Sequence, residues 1–149
     1  MTVPHSLLPE SPVAKAKAAT RILVVDDEPL LCRMLASILQ RTGYQVETAY
    51  NGAEAVAAVK RFRPHLITLD VMMPGMSGIE VAQTLRADQE TATIPIIFIT
   101  ALDRSVSQDL QRILNADRYT YHMDKPFNRQ QLLIQVETAL ETRTQGQES

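Results

Sequence analysis

Three stretches of this chain are nearly unbroken apolar runs, and each ends on a polar group. Arg21-Ile22-Leu23-Val24-Val25 runs into Asp26-Asp27-Glu28, and Leu66-Ile67-Thr68-Leu69 runs into Asp70. Ile94-Pro95-Ile96-Ile97-Phe98-Ile99 runs into Thr100-Ala101. Short apolar runs bounded by turn residues read as strands covered on both faces. Two further segments are more polar, as sheet edges are. Residues 44–49 alternate, and residues 119–124 lead into Lys125-Pro126. Between these segments the apolar spacing changes to a helical one. Leu30, Leu31, Met34, Leu35, Ile38 and Leu39 predict a helix over 28–41, opened by Pro29 and closed by Gly43. Asn51 caps a helix over 52–62 with Ala53, Val56 and Val59 inward. Further helices are expected over 78–87 (Ile79, Ala82, Leu85), 105–116 (Val106, Leu110, Ile113, Leu114) and 129–141 (Leu132, Leu133, Val136, Leu140).

The order is strand, helix, strand, helix, five times over. That pattern gives an α/β, doubly wound (βα)5 flavodoxin-like fold with a five-stranded parallel sheet. Right-handed crossovers favour the strand order 2-1-3-4-5. Strands one and three are then neighbours, and the crevice at their C-terminal ends is the expected site. Asp26, Asp27 and Asp70 all fall there.

Composition narrows the class. A length of 149 residues and an apolar content of 45% fit one domain with a real core. The domain is expected over 21–141, after a disordered or loosely helical leader over 1–20 and before a flexible tail over 142–149. A formal charge of -2 leaves no overall basic footprint for nucleic acid. No run reaches the roughly 18 apolar residues of a membrane span, and the first 20 residues lack a signal-peptide core. The single cysteine, Cys32, excludes an internal disulfide and reads as a packed residue. A cytoplasmic location is the expectation.

The chemistry follows from charge. Three carboxylates in one crevice repel by about 4 kcal/mol per pair at 4 Å and an effective dielectric near 20. A proton or a cation relieves this, and hard oxygen ligands favour Mg2+. Lys125 adds a point charge and Thr100 a hydroxyl, both suited to phosphoryl oxygens. Asp-Asp-Glu stands after strand one where a glycine-rich phosphate loop would be, which disfavours a nucleotide cradle. The simplest carrier of a phosphate is then a carboxylate of the chain itself.

Four motifs carry a resemblance. Val24-Val25-Asp26-Asp27-Glu28-Pro29, Asp70-Val71-Met72-Met73-Pro74-Gly75-Met76-Ser77-Gly78, Thr100-Ala101 and Lys125-Pro126-Phe127 stand in order at strand ends. Together, over about residues 21–141, the chain resembles the receiver domain of bacterial two-component response regulators, of the stand-alone, chemotaxis-like kind. The resemblance implies that Asp70 accepts a phosphoryl group from a sensor histidine kinase or phosphotransfer protein. It implies Asp27 as a direct Mg2+ ligand, Asp26 acting mainly through water, and Asp70 and the Met72 carbonyl completing the set. It makes Thr100 the switch hydroxyl and Lys125 the ion-pair partner of the phosphoryl group, with a cis Lys125-Pro126 bond. It also implies a protein that catalyses only its own phosphorylation and dephosphorylation and signals to a downstream output protein. No nucleic acid or membrane partner is expected.

Two features depart from the family pattern. Thr100 and Lys125 are 25 residues apart, about three more than usual, and the turn before strand five reads Asn115-Ala116-Asp117-Arg118-Tyr119. His122 stands where receivers usually carry Tyr or Phe, which makes it a candidate switch residue beside the reading of a plain edge-strand histidine. Tyr119, Tyr121 and His122 on an edge strand raise the expectation of a homodimer, or a partner groove, through the fourth helix, strand five and the fifth helix. The alternative is a Mg2+-dependent phosphatase of the haloacid-dehalogenase type, but that chemistry wants an acid two residues after the nucleophile, where Met72 stands. A flavin carrier is disfavoured by the acidic first loop.

Overall fold

The computed structural model describes residues 11–101 and 104–147; side chains of 104–107, 109 and 143–147 lie outside the description. Five strands alternate with helices: β1 (Arg21–Val25), β2 (Gln45–Ala49), β3 (Leu66–Leu69), β4 (Ile96–Ala101) and β5 (Thr120–Lys125). They form one parallel sheet in the order β2-β1-β3-β4-β5. The helices are α1 (Pro12–Ala18), α2 (Pro29–Thr42), α3 (Gly52–Phe62), α4 (Gly78–Ala87), α5 (Arg104–Ala116) and α6 (Arg129–Gln147). The expected fold and strand order are therefore present.

Side-chain alternation along the strands builds two cores, one on each face. Ile22, Val24, Leu66, Ile97 and Ile99 pack under α2 and α6 through Cys32, Leu35, Leu132 and Val136. Leu23, Val25, Ile67, Leu69 and Phe98 pack under α3, α4 and α5 through Ala55, Val59, Val81 and Leu110. The interior strands β1, β3 and β4 are buried almost throughout, whereas β2 and β5 are half-buried edges.

Local signals set the helix ends. Asn51 Oδ1 accepts from the Glu54 amide at 2.8 Å. Ser77 and Glu80 form a reciprocal capping box at the start of α4. Gly43, at φ 118°, closes α2 in the left-handed region. The Lys125-Pro126 bond is cis.

Several expectations need correction or sharpening. Within the leader, expected as disordered or loosely helical, Pro12–Ala18 takes the helical alternative: Ser11 caps it, and Gln45 Nε2 donates to the Ala18 carbonyl at 2.6 Å. Residues 1–10 lie outside the described residues. At the other end α6 runs on through 142–147, since no proline or turn cluster stops it at 141; residues 148–149 are outside the description. Ala53 is exposed and Ala55 and Ala58 are buried in its stead, because the inward arc of α3 is set by Gly52 and Ala55 one turn apart. On α2 the buried stripe is Cys32, Leu35 and Leu39, which leaves Leu30 and Met34 exposed. Tyr121 is partly buried against the α2–α6 core, and its hydroxyl bonds the Thr142 hydroxyl.

The three additional residues before Lys125 do not disturb the sheet. β5 pairs residue for residue with β4, Phe98 opposite His122 and Thr100 opposite Asp124. A short turn over 117–119 joins α5 to β5. There Asp117 Oδ1 accepts from the Tyr119 amide at 2.7 Å and the Thr120 hydroxyl at 2.9 Å. Arg86 of α4 ties the turn down, donating from Nε to Asp117 Oδ2 at 3.0 Å and from Nη1 to the Ile94 carbonyl at 2.7 Å. Its Nη2 donates to the Tyr119 carbonyl and the Thr120 hydroxyl.

Candidate functional site

The crevice lies where β1 and β3, adjacent in the sheet, both end. Asp26 follows β1 and is 2% exposed; Asp70 follows β3 and is 5% exposed. The Asp70 amide donates to the Val25 carbonyl at 3.0 Å, which carries the parallel pairing one residue beyond the strands and fixes the two acids side by side. Asp27 is half-buried beside them. One carboxylate oxygen from each of Asp26, Asp27 and Asp70 lies within 4.8 Å of the others.

The Lys125 ammonium enters from the end of β5. It lies 3.1 Å from Asp26 Oδ2 and 3.8 Å from Asp70 Oδ2. The other Asp26 oxygen accepts from the Glu28 amide at 2.9 Å, and Asp70 Oδ1 faces the Met72 amide at 3.4 Å. Burial and then the charge of Asp26 push the Asp70 carboxyl up to about 6, with Lys125 opposing them. For Lys125, burial works against the charge, but the bond to Asp26 and the charges of Asp70 and Asp26 outweigh it and hold the pKa above its ordinary value. One ammonium thus leaves the three acids under-compensated. An oxygen-rich set with surplus negative charge fits a hard divalent cation. Asp26, Asp27 and Asp70 are the side chains that would hold Mg2+, which would supply positive charge against phosphoryl oxygens.

The remaining predicted residues are placed as follows. Thr100 ends the buried part of β4, 3% exposed, and its hydroxyl makes a long contact of 3.4 Å to the Ala101 carbonyl. Met72 leaves Asp70 on the crevice rim with its side chain 52% exposed. His122 sits on the same sheet face as Thr100, but its Nε2 is engaged at 2.8 Å with Asp124 Oδ1.

The sequence reading missed three supports. Cys32 Sγ donates to the Asp26 carbonyl at 3.2 Å, and burial, with the Asp26 charge second, raises the thiol to about 11, which keeps it protonated. Asp124 holds His122. Gly78 lies against the Asp70 backbone: a Cβ there would stand 2.0 Å from the Asp70 carbonyl oxygen. A glycine eight residues after Asp70 was visible, but the contact that requires it was not.

The model of the response regulator receiver domain matches residues 22–137. The chain belongs to this family. It is 40% identical over 120 residues to the DNA-binding response regulator MtrA of Mycolicibacterium smegmatis, covering 80% of this chain and 50% of that protein. It is 41% identical to the alkaline phosphatase synthesis transcriptional regulatory protein PhoP of Bacillus subtilis, over 80% of this chain and 48% of that one. The chain thus spans about half the length of these curated relatives. Among solved structures it resembles the chemotaxis protein CheY4 of Vibrio cholerae, at TM-score 0.72 and 31% identity, over 80% of this chain and 98% of that one. It also resembles the response regulator TrrA of Thermotoga maritima, solved in complex with Mg(2+)-BeF, at TM-score 0.69 and 38% identity, over 80% and 98% of the two chains. Among the described residues no helix is long and apolar enough to cross a membrane.

Proposed function

We propose that this receiver domain takes a phosphoryl group onto Asp70 from the phosphohistidine of a sensor kinase or phosphotransfer protein. The observation that carries the reading is the pairing of a buried Asp70 with Asp26, Asp27 and the Lys125 ammonium in one crevice. In the step, an Asp70 carboxylate oxygen forms a bond to phosphorus as the phosphorus–nitrogen bond to imidazole breaks. The electron pair goes to the leaving nitrogen, which then holds a proton in water. Asp70 must be ionised to attack, and burial with the Asp26 charge works against that ionisation while the crevice is metal-free. Lys125 and the Thr100 hydroxyl receive the phosphoryl oxygens. Mg2+ would be held by Asp26, Asp27, Asp70 and the Met72 carbonyl.

The rim fits a protein donor. Leu30 and Met34 on the first turns of α2 and Met72 beside Asp70 are 76%, 46% and 52% exposed, apolar surface next to the acids that an incoming partner would cover. The output is a phosphorylation-dependent contact with a second protein, in which Thr100 moves toward the phosphoryl group and His122 gives up Asp124 to follow it. Family membership, and a methionine at position 72 where the phosphatase alternative needs an acid, both favour this reading. The test is incubation with acetyl phosphate and Mg2+ followed by intact-mass and peptide mapping. One acid-stable, base-labile phosphorylation at Asp70 is expected; labelling that persists undiminished in Asp70→Asn removes the assignment.

A further inference from the structure

Gly52 opens α3 in a place where its backbone gives no reason for glycine. Its φ lies outside the left-handed region, and alanine would strengthen a helix there. The reason is steric. A Cβ on Gly52 would stand 2.7 Å from Met76 Cβ and 2.9 Å from both Met76 Cγ and the Met76 carbonyl oxygen. The bare backbone of the first turn of α3 is therefore the seat of Met76.

Met76 belongs to the loop that joins Asp70 to α4. The far end of that loop is held in the same manner. A Cβ on Gly78 would stand 2.0 Å from the Asp70 carbonyl oxygen and 3.0 Å from Val71 Cα, and the Gly78 amide donates to the Val71 carbonyl at 2.9 Å. The loop is thus fixed at two points, Met76 on Gly52 and Gly78 on Asp70. Met72, whose amide faces Asp70 Oδ1, lies in the stretch between Asp70 and the Met76 anchor.

We infer that Gly52 is a positioning residue for phosphorylation of Asp70. It lets Met76 lie against α3, and so sets the height of the loop above the crevice and the aim of the Asp70 carboxylate and the Met72 carbonyl. Gly52 carries no functional group, so its influence travels through the Met76 contact. The inference rests on Asp70 as phosphoacceptor.

The test compares acetyl phosphate labelling rates, with Mg2+, for the wild type, Gly52→Ala, Met76→Gly and the double variant. Misplacement of a reacting group by about 1 Å costs up to about a hundredfold, so Gly52→Ala is expected to slow labelling at least about tenfold. A helix-only effect has the opposite sign, since alanine favours α3. In the Met76→Gly background, where the clashing side chain is gone, the same substitution should cost no more than about threefold, the contact to the Met76 carbonyl remaining. Circular dichroism confirms the fold of each variant. Gly52→Ala labelled at the wild-type rate, or slowed equally in both backgrounds, overturns the positioning role. If Gly52→Ala does not fold, Met76→Gly alone carries the test: severalfold slower labelling supports the role, and an unchanged rate overturns it. A wild type unlabelled at Asp70 overturns the phosphoacceptor reading and this role together.

Discussion

Burial and the Asp26 carboxylate raise Asp70 from 3.8 to about 6, and that shift is a statement about stability as well as reactivity. Between these two values the folded chain holds the Asp70 proton more tightly than the unfolded chain does. Stability from this group is therefore full at acid pH and is lost as pH rises through about 6. The loss is on the order of 2 to 3 kcal/mol, at 1.36 kcal/mol per unit. Asp70→Asn has no such charge. In metal-free buffer it should melt several degrees above the wild type at pH 7, and the two curves should converge toward pH 4. Calorimetry at a series of pH values in EDTA checks this, and a constant difference across the range would contradict the assigned shift. The residue scale also shows what a chain read by itself conceals. Asp26, Asp27, Asp70, Thr100 and Lys125 were legible because each stands at the C-terminal end of a strand or within two residues after it. Gly52 and Gly78 were not, because their reasons, Met76 and the Asp70 backbone, lie across a fold the sequence does not display. Asp124 as the partner of His122 was equally hidden.

At the scale of elements, the strands were legible because apolar runs ending on polar groups have few other readings. The helix faces were less so. The periodicity admits Ala53 and Ala55 alike on α3, and Leu30 and Leu31 alike on α2; only the packed sheet decides between them. The turn before β5 was legible as unusual and no more. In the structure it is held by one guanidinium, Arg86, which with Asp117 is 16% and 23% exposed. Burial lowers the Arg86 pKa, with the Asp117 charge opposing it. Removing the arginine strands a half-covered carboxylate and two carbonyls, so Arg86→Met should destabilise by about 2 to 4 kcal/mol. Most of that cost comes from the orphaned charge. Asp117→Asn added to Arg86→Met should therefore return part of it, and urea unfolding of the four chains in a double-mutant cycle measures the coupling. Additive losses would mean that the pair does not act as a unit.

Across the whole molecule, the Lys125–Asp26 bond joins positions 99 residues apart and ties the last strand of the sheet to the first. It has two consequences that pull in opposite directions. It neutralises part of a buried acid, which stabilises the metal-free fold. It also places a cation against Asp26 and Asp70, where a divalent ion would bind, and so opposes that ion. Lys125→Met separates the two. Without metal, Asp26 keeps its Glu28 amide but loses its counter-charge, and a buried charge that loses its partner costs about 3 to 5 kcal/mol. Lys125 is 21% exposed, which places the expected loss at or below the lower end. With Mg2+ in excess the ion takes over the compensation, and it binds a site from which a competing ammonium has gone. Ligand binding stabilises in proportion to the logarithm of its concentration over Kd, so the upward shift of Tm on adding Mg2+ should be larger in Lys125→Met than in the wild type. Melting curves of both chains over a Mg2+ series, with Ca2+ as a second oxygen-seeking ion, give the comparison. An equal shift in the two chains would mean that Lys125 and the metal do not compete for the acids.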